Sequence, residues 1–292
     1  MKQPEVWTRI ARNIIATGKR PHFAPEDEIL AVMRECVVDH VARQGAGCRA
    51  VILGATPELA DMALDAGCEV VRIDCNPAMF ESAAGRQTVK DRGRETVLIG
   101  DWLAMHAIGD GEAGLVLGDS ALNNVPHEDM DRLLAELARI TRPGSTIALR
   151  QIVLPDSPVA AYEFPAAVAA FRCGDITDTE FHRMLRFYSF TANAYDEPSR
   201  LLDARLVFAE IRRKHEAGQL TDSELEFLMA RYSEVRHTIY RLAEQRRLLE
   251  SLGHCESASP AIERSARFLF QVFAIRVGPQ PAINAGESAD EA

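Results

Sequence analysis

Arg49-Ala-Val-Ile-Leu-Gly-Ala-Thr-Pro-Glu-Leu59, followed by an acid at Asp74, decides the fold of this chain. Val51-Ile-Leu53 is an apolar run of strand length. Gly54 permits a tight turn, Thr56 suits an N-cap, and Pro57 suits the first helical position. Leu59, Met62, Ala63 and Ala66 recur at helical spacing, and Gly67 stops the helix. Glu69-Val-Val-Arg-Ile-Asp74 is a second strand ending in a carboxylate. Strand, turn, helix, strand and acid make a nucleotide-binding half-fold. The helix N-terminus meets the anionic end of a ligand, and Asp74 can hold ribose hydroxyls. An ordinary βαβ unit without a ligand is the competing reading of these residues alone.

The same turn argues against a dinucleotide. The fingerprint G-x-G-x-x-G falls here on Gly54, Thr56 and Leu59, and the last two would crowd a pyrophosphate. A ligand with a ribose and no phosphate fits better, and S-adenosylmethionine (SAM) is such a ligand.

The chain has 292 residues and 47% hydrophobic content, enough for one sizeable domain or a domain with a helical addition. A formal net charge of −10 makes nucleic acid a poor default partner. The six cysteines form no C-x-x-C and no disulfide-like spacing, so free thiols in a reducing cytoplasm are expected. The first residues lack the apolar core of a signal peptide, and no run approaches a membrane span. No histidines pair with each other or with cysteines at zinc spacing, so no metal is expected.

Helices and strands divide the chain into an expected helical N-terminal cap (1–48), an α/β core (49–155), a helical insertion with a long helix (156–252), a terminal strand region completing the sheet (253–278) and a disordered tail (279–292). In the core, Thr96–Ile99, Gly114–Leu117 and Thr146–Leu154 read as strands three, four and five, with a helix from about His127 to Thr141. Alternation of strands and helices predicts a doubly wound, mostly parallel, Rossmann-like sheet. Residues 156–252 carry no convincing strand. Ser199 caps one helix there, and Thr221-Asp-Ser-Glu224 is a capping box for a helix expected to run to Leu252. Ala266–Val277 reads as the last strand.

With these motifs in order, the chain resembles the class I SAM-dependent methyltransferases, in the branch whose loop reads L-G-x-T-P-E-L, here Leu53–Leu59. The resemblance covers about residues 49–154 and the terminal strand. It implies cofactor contacts from the loop residues Gly54, Ala55, Thr56 and Glu58. It implies ribose binding by Asp74 and an adenine site at Asp101 and Trp102. Asp119 and Ser120, after strand four, would lie beside the methionine part. The loop is poorer in glycine than is usual in the family. Since the resemblance does not reach residues 156–220, it leaves the substrate open.

The expected function is a SAM-dependent methyltransferase acting on a small metabolite by in-line displacement. The alternative is a SAM cyclase of the same fold, in which the α-amine attacks the γ-carbon to give azetidine-2-carboxylate and methylthioadenosine. Asn123, Asn124, Tyr162 and Ser189 are the catalytic candidates, polar groups able to fix a neutral amine. Between Tyr162 and Tyr195 stand eight aromatics, expected to form a lid whose rings face the sulfonium or to form the core of the insertion. The helical segments can also serve homodimerisation.

Overall fold

The computed structural model describes residues 3–18, 21, 23–257 and 270–278. Its strands are β1 (Arg49–Leu53), β2 (Glu69–Asp74), β3 (Glu95–Ile99), β4 (Ala113–Asp119), β5 (Thr141–Ile152), β6 (Tyr195–Asp196), β7 (Leu201–Asp203), β8 (Arg236–Thr238), β9 (Gly253–Ser257) and β10 (Phe270–Val277). Its α-helices are α1 (Gln3–Thr17), α2 (Asp27–Gln44), α3 (Pro57–Asp65), α4 (Pro77–Ala84), α5 (Met130–Ile140), α6 (Phe164–Cys173), α7 (Asp178–Met184), α8 (Thr191–Ala194), α9 (Ala204–Glu216), α10 (Asp222–Met229) and α11 (Leu242–Glu250).

The central sheet has the order β3-β2-β1-β4-β5-β10-β9. β1 to β5 are parallel, and β10 runs antiparallel between β5 and β9. Each strand face carries its own helical layer, so alternate residues sort to opposite cores. Val51 and Leu53 of β1 join Leu133 and Leu137 of α5 on one face. Ala50 and Ile52 join Met33 and Val37 of α2 and Leu59 and Met62 of α3 on the other. A continuous apolar run such as Val51-Ile-Leu53 is what burial on both faces requires.

A third core lies in the insertion after β5, around Phe181, Leu185, Phe208 and Leu228. There the local sequence signals and the structure diverge. The capping box at Thr221 forms, but its helix ends at Met229. The chain then extends as β8, pairing with β7, which pairs with β6. Ile239 N donates to Arg200 O at 2.7 Å, Leu154 N to Tyr240 O at 2.9 Å, and Leu242 N to Leu154 O at 2.8 Å. These bonds lace the returning chain to the exit of β5 and outweigh the helical spacing of Tyr232, Val235 and Ile239. Ser199 caps no helix; its N–H and hydroxyl donate to Asp196, while Asp203 caps α9 by accepting from Arg205 N at 2.9 Å.

β9 was not evident in the sequence because it is a short edge strand with alternating exposure, Cys255 buried and Glu256 exposed. The expected last strand is seen from Phe270; 266–269 and the tail 279–292 lie outside the described residues. Gly253 opens β9 with φ +156°, and a Cβ there would come within 2.2 Å of Arg276 O. Gly253→Ala is therefore expected to destabilise the fold by about 1–3 kcal/mol, measurable by denaturant unfolding, because a backbone carbonyl in a paired strand cannot move aside.

Candidate functional site

The strand order reverses at β1, whose neighbours are β2 and β4, and open α/β sheets bind ligands at the carboxyl ends of strands at such a point. A cavity of about 1200 Å³ opens there. Its floor is built around one backbone oxygen: Ile73 O accepts both Gly54 N at 2.8 Å and Trp102 Nε1 at 2.7 Å. That carbonyl ties together the loops after β1, β2 and β3. Gly54 has φ +107°, the conformation that lets the chain turn tightly over Asp74 and Trp102.

Asp74 lies in this floor. Its Oδ1 accepts from Asn76 N at 2.8 Å, and burial pushes its carboxyl up to about 6. Asn76 caps α4 by accepting from Ala78 N, and its amide donates to Thr8 Oγ1 at 3.1 Å, tying α1 to the floor. Ala55, Thr56, Asp101 and Trp102 also line the cavity. Thr56 occupies the N-cap position of α3 without a side-chain bond to the helix. Glu58 faces a small neighbouring pocket with Ser82 and Arg86 instead.

Asp119 and Ser120 close the β4 side. Ser120 has φ +54°, a left-handed conformation uncommon for a non-glycine residue and often found at functional turns. Its N–H donates to Arg150 O at 2.7 Å. Asp119 has a resident cation, since buried Arg150 donates to its Oδ1. Any ammonium arriving at Asp119 would share that carboxylate.

Of the four residues read as catalytic candidates, Asn124 lines the cavity and the other three do not. Asn124 Nδ2 donates to Ser120 O at 2.8 Å, and its buried Oδ1 has no partner within the protein. Asn123 is a strut: its amide donates to Ile152 O and Thr238 O, and its Oδ1 accepts from Ile152 N at 2.9 Å. Tyr162 is buried and stacked on Tyr188 with ring centres 4.5 Å apart. Ser189 Oγ donates to Tyr162 O at 2.7 Å.

All eight aromatics of the insertion join its core, the second of the two expectations for them. Phe187 lines the cavity. Phe171 stacks on Phe181 at 4.1 Å, Phe164 packs on Phe190 at 5.5 Å, and the hydroxyls of Tyr188 and Tyr195 donate to Val153 O and Ile239 O. Apolar rings with satisfied hydroxyls are what an insertion needs to hold itself together.

The cavity wall instead uses residues that sequence reading passed over. Trp7, Ile10 and Ile14 of α1 line it, with Trp7 edge-on to Phe23 at 5.7 Å. The insertion contributes Arg183 and Arg186 of the Phe181-His-Arg-Met-Leu-Arg-Phe187 stretch, and β8 with its approach contributes Ser233 and His237. The available signal was the pair of arginines inside an otherwise apolar run.

These groups fit SAM. The turn at Gly54 brings the backbone down to a half-buried carboxylate, Asp74, which has acceptor capacity for ribose hydroxyls. Asn124 presents an unsatisfied oxygen, and Trp102 offers a flat apolar ring in the floor. Among the described residues no cluster of three or more His, Cys, Asp or Glu side chains is placed to hold a metal, and no helix is long and apolar enough to cross a membrane.

A family model described as a methyltransferase domain matches residues 53–149, the span from the end of β1 into β5. No curated protein matches the chain. Among solved structures, the fold is similar to that of a Rhodobacter sphaeroides protein described as a Zn-dependent alcohol dehydrogenase, at 16% identity and TM-score 0.53, covering 94% of this chain and 97% of that one. It is also similar to a chain from the complex of the Haloferax volcanii Trm112 methyltransferase activator with a protein described as a methyltransferase. That match has 14% identity and TM-score 0.50, covering 96% of this chain and 99% of that one. At such identities the likeness concerns the fold alone.

Two expectations follow from the geometry. Asn123→Ala leaves three buried backbone groups without their partner and should lower stability by about 1–3 kcal/mol in denaturant unfolding, while the folded variant still binds S-adenosylhomocysteine. Asp74 should make that binding pH-dependent. In the free protein its raised carboxyl favours folding when protonated, a contribution lost as pH rises from about 4 through about 6. Ribose hydroxyls donate to the ionised form, so affinity should rise over the same window. Calorimetry on Asp74→Asn should show weaker binding with a flat profile between pH 5 and 7.

Proposed function

We propose that this chain, whose residues 53–149 match a methyltransferase domain, is a class I SAM-dependent methyltransferase that methylates a small molecule held in the same cavity as the donor. The cavity carries this reading. At about 1200 Å³ it exceeds the roughly 300–1,000 Å³ usual for one drug-sized ligand, and it runs from Asp74 and Trp102 at the strand edge to the insertion.

Bound SAM supplies an electrophilic methyl on a sulfonium. The protein's part is alignment and exclusion of water, which suffice for an in-line displacement. Asp74 would accept from the ribose hydroxyls. Trp102 and Asp101, which line the cavity beyond β3, would hold the adenine, the ring by its flat face and the carboxylate by accepting from the amino group. Ser120 and Asn124 would hold the amino-acid end, beside the Asp119–Arg150 pair. Trp7 from α1 and Phe187 from the insertion cover the cavity from two sides. The acceptor then lies between this floor and the insertion.

Incubation with SAM alone, and with SAM plus small-molecule extracts, followed by mass spectrometry, tests the proposal. S-adenosylhomocysteine should form only when metabolites are added. Methylthioadenosine and a cyclic amino acid from SAM alone would overturn methyl transfer in favour of the cyclase. Neither product under any condition, with no SAM binding by calorimetry, would remove both.

A further inference from the structure

Arg186 is a buried cation without an anion. It sits on a π-helical turn, Leu185–Ser189, that follows α7 directly, and such turns are frequent at functional sites. It is 6% exposed, and it lines the cavity. Its Nη2 donates to Ser233 Oγ at 2.8 Å, and its buried Nε has no partner. Among the described residues no carboxylate pairs with it; burial alone lowers its guanidinium, to about 10.

Other buried arginines of this protein are treated differently. Arg150 pairs with Asp119, and Arg183, one turn before Arg186, pairs with Glu26. The charged and titratable groups around Arg186 do not neutralise it. His237, beyond the Phe187 ring at 5.8 Å, is pushed down to about 3 by burial and by Arg186 itself, so it is uncharged at neutral pH. His182 lines the same wall and carries no negative charge. A guanidinium out of water without a counter-ion is costly, and it is retained where a ligand provides the anion.

We propose, building on the methyltransferase reading, that Arg186 and Ser233 form the subsite for a carboxylate of the ligand bound in this cavity. The planar guanidinium fork matches two carboxylate oxygens, and the Ser233 hydroxyl fixes the plane of the fork. Charge balance selects a single negative charge. A phosphate dianion would need a second free cation, and Arg183, the neighbouring one, is already committed to Glu26. The carboxylate has two sources, the amino-acid end of SAM or the acceptor molecule.

Full-length wild type, Arg186→Met and Arg186→Lys distinguish them. Calorimetry uses S-adenosylhomocysteine, and methylthioadenosine as the same nucleoside without a carboxylate. Thermal melts compare benzoate with chloride at equal ionic strength. Arg186→Met should weaken S-adenosylhomocysteine at least tenfold if the donor is the source, or abolish benzoate stabilisation alone if the acceptor is. In both cases methylthioadenosine affinity is unchanged, Arg186→Lys restores part of the loss, and the unliganded methionine variant melts at or above wild type. The proposal is overturned if S-adenosylhomocysteine binds the methionine variant normally and benzoate either stabilises neither protein or stabilises both equally. It is also overturned if methylthioadenosine weakens as well, or if the free variant melts well below wild type, which would make Arg186 a structural strut. Wild type that binds neither nucleoside would instead remove the SAM reading, leaving benzoate to decide the subsite.

Discussion

A strand covered by helices on both faces can meet a ligand only at its ends. Val51, Ile52 and Leu53 lie in such a strand, and this constraint organises the rest of the molecule. Parallel neighbours deliver their loops to one edge, and the loops must be held in register there. Ile73 O does this with two hydrogen bonds, one to a backbone amide and one to an indole. The polar groups of the floor, Asp74 and Asn76 above all, are placed by that backbone.

Charge is divided between the two sides of the cavity. The strand ends bring Asp74, Asp101 and Asp119; the insertion brings Arg183 and Arg186. In a low-dielectric space such a division orients a ligand carrying both signs, because a reversed pose would face like charges and lose hydrogen bonds as well. Asp119 and Arg150, paired across the end of β4 and β5, mark where the two sides meet.

How much of this could be read beforehand follows the range of the forces involved. The motifs from Arg49 to Asp74 are local, and their strand, turn and helix stand where the periodicity puts them. The mostly parallel sheet followed from the same alternation. The insertion was harder, because its extended segment at β8 exists through bonds to Arg200 and Leu154, remote in sequence. Tyr162 and Ser189 have side chains suited to chemistry, yet packing buries one and a backbone carbonyl takes the other. Asn123 and Asn124 are adjacent and alike in sequence, and a 3₁₀ turn sends one inward to β5 and the other to the cavity. No one-dimensional pattern separates them. Arg186 was visible as a charge in an apolar run, but its missing partner appears only in three dimensions.

The lacing of the insertion has a consequence for the cavity wall. The chain leaves β5 at Leu154 and returns at Tyr240 and Leu242, and both passages are bonded to each other. The two ends of the insertion are therefore held side by side at the exit of β5. The N-terminal helix is held from two sides: the Asn76 amide donates to Thr8, Arg9 pairs with Glu234 of the insertion, and Val6 and Ala11 are buried. Trp7, Ile10 and Ile14 on that helix also form part of the cavity's outer wall. Pinned to the floor at Thr8 and to the insertion at Arg9, this one helix joins the two sides of the cavity across its outer wall.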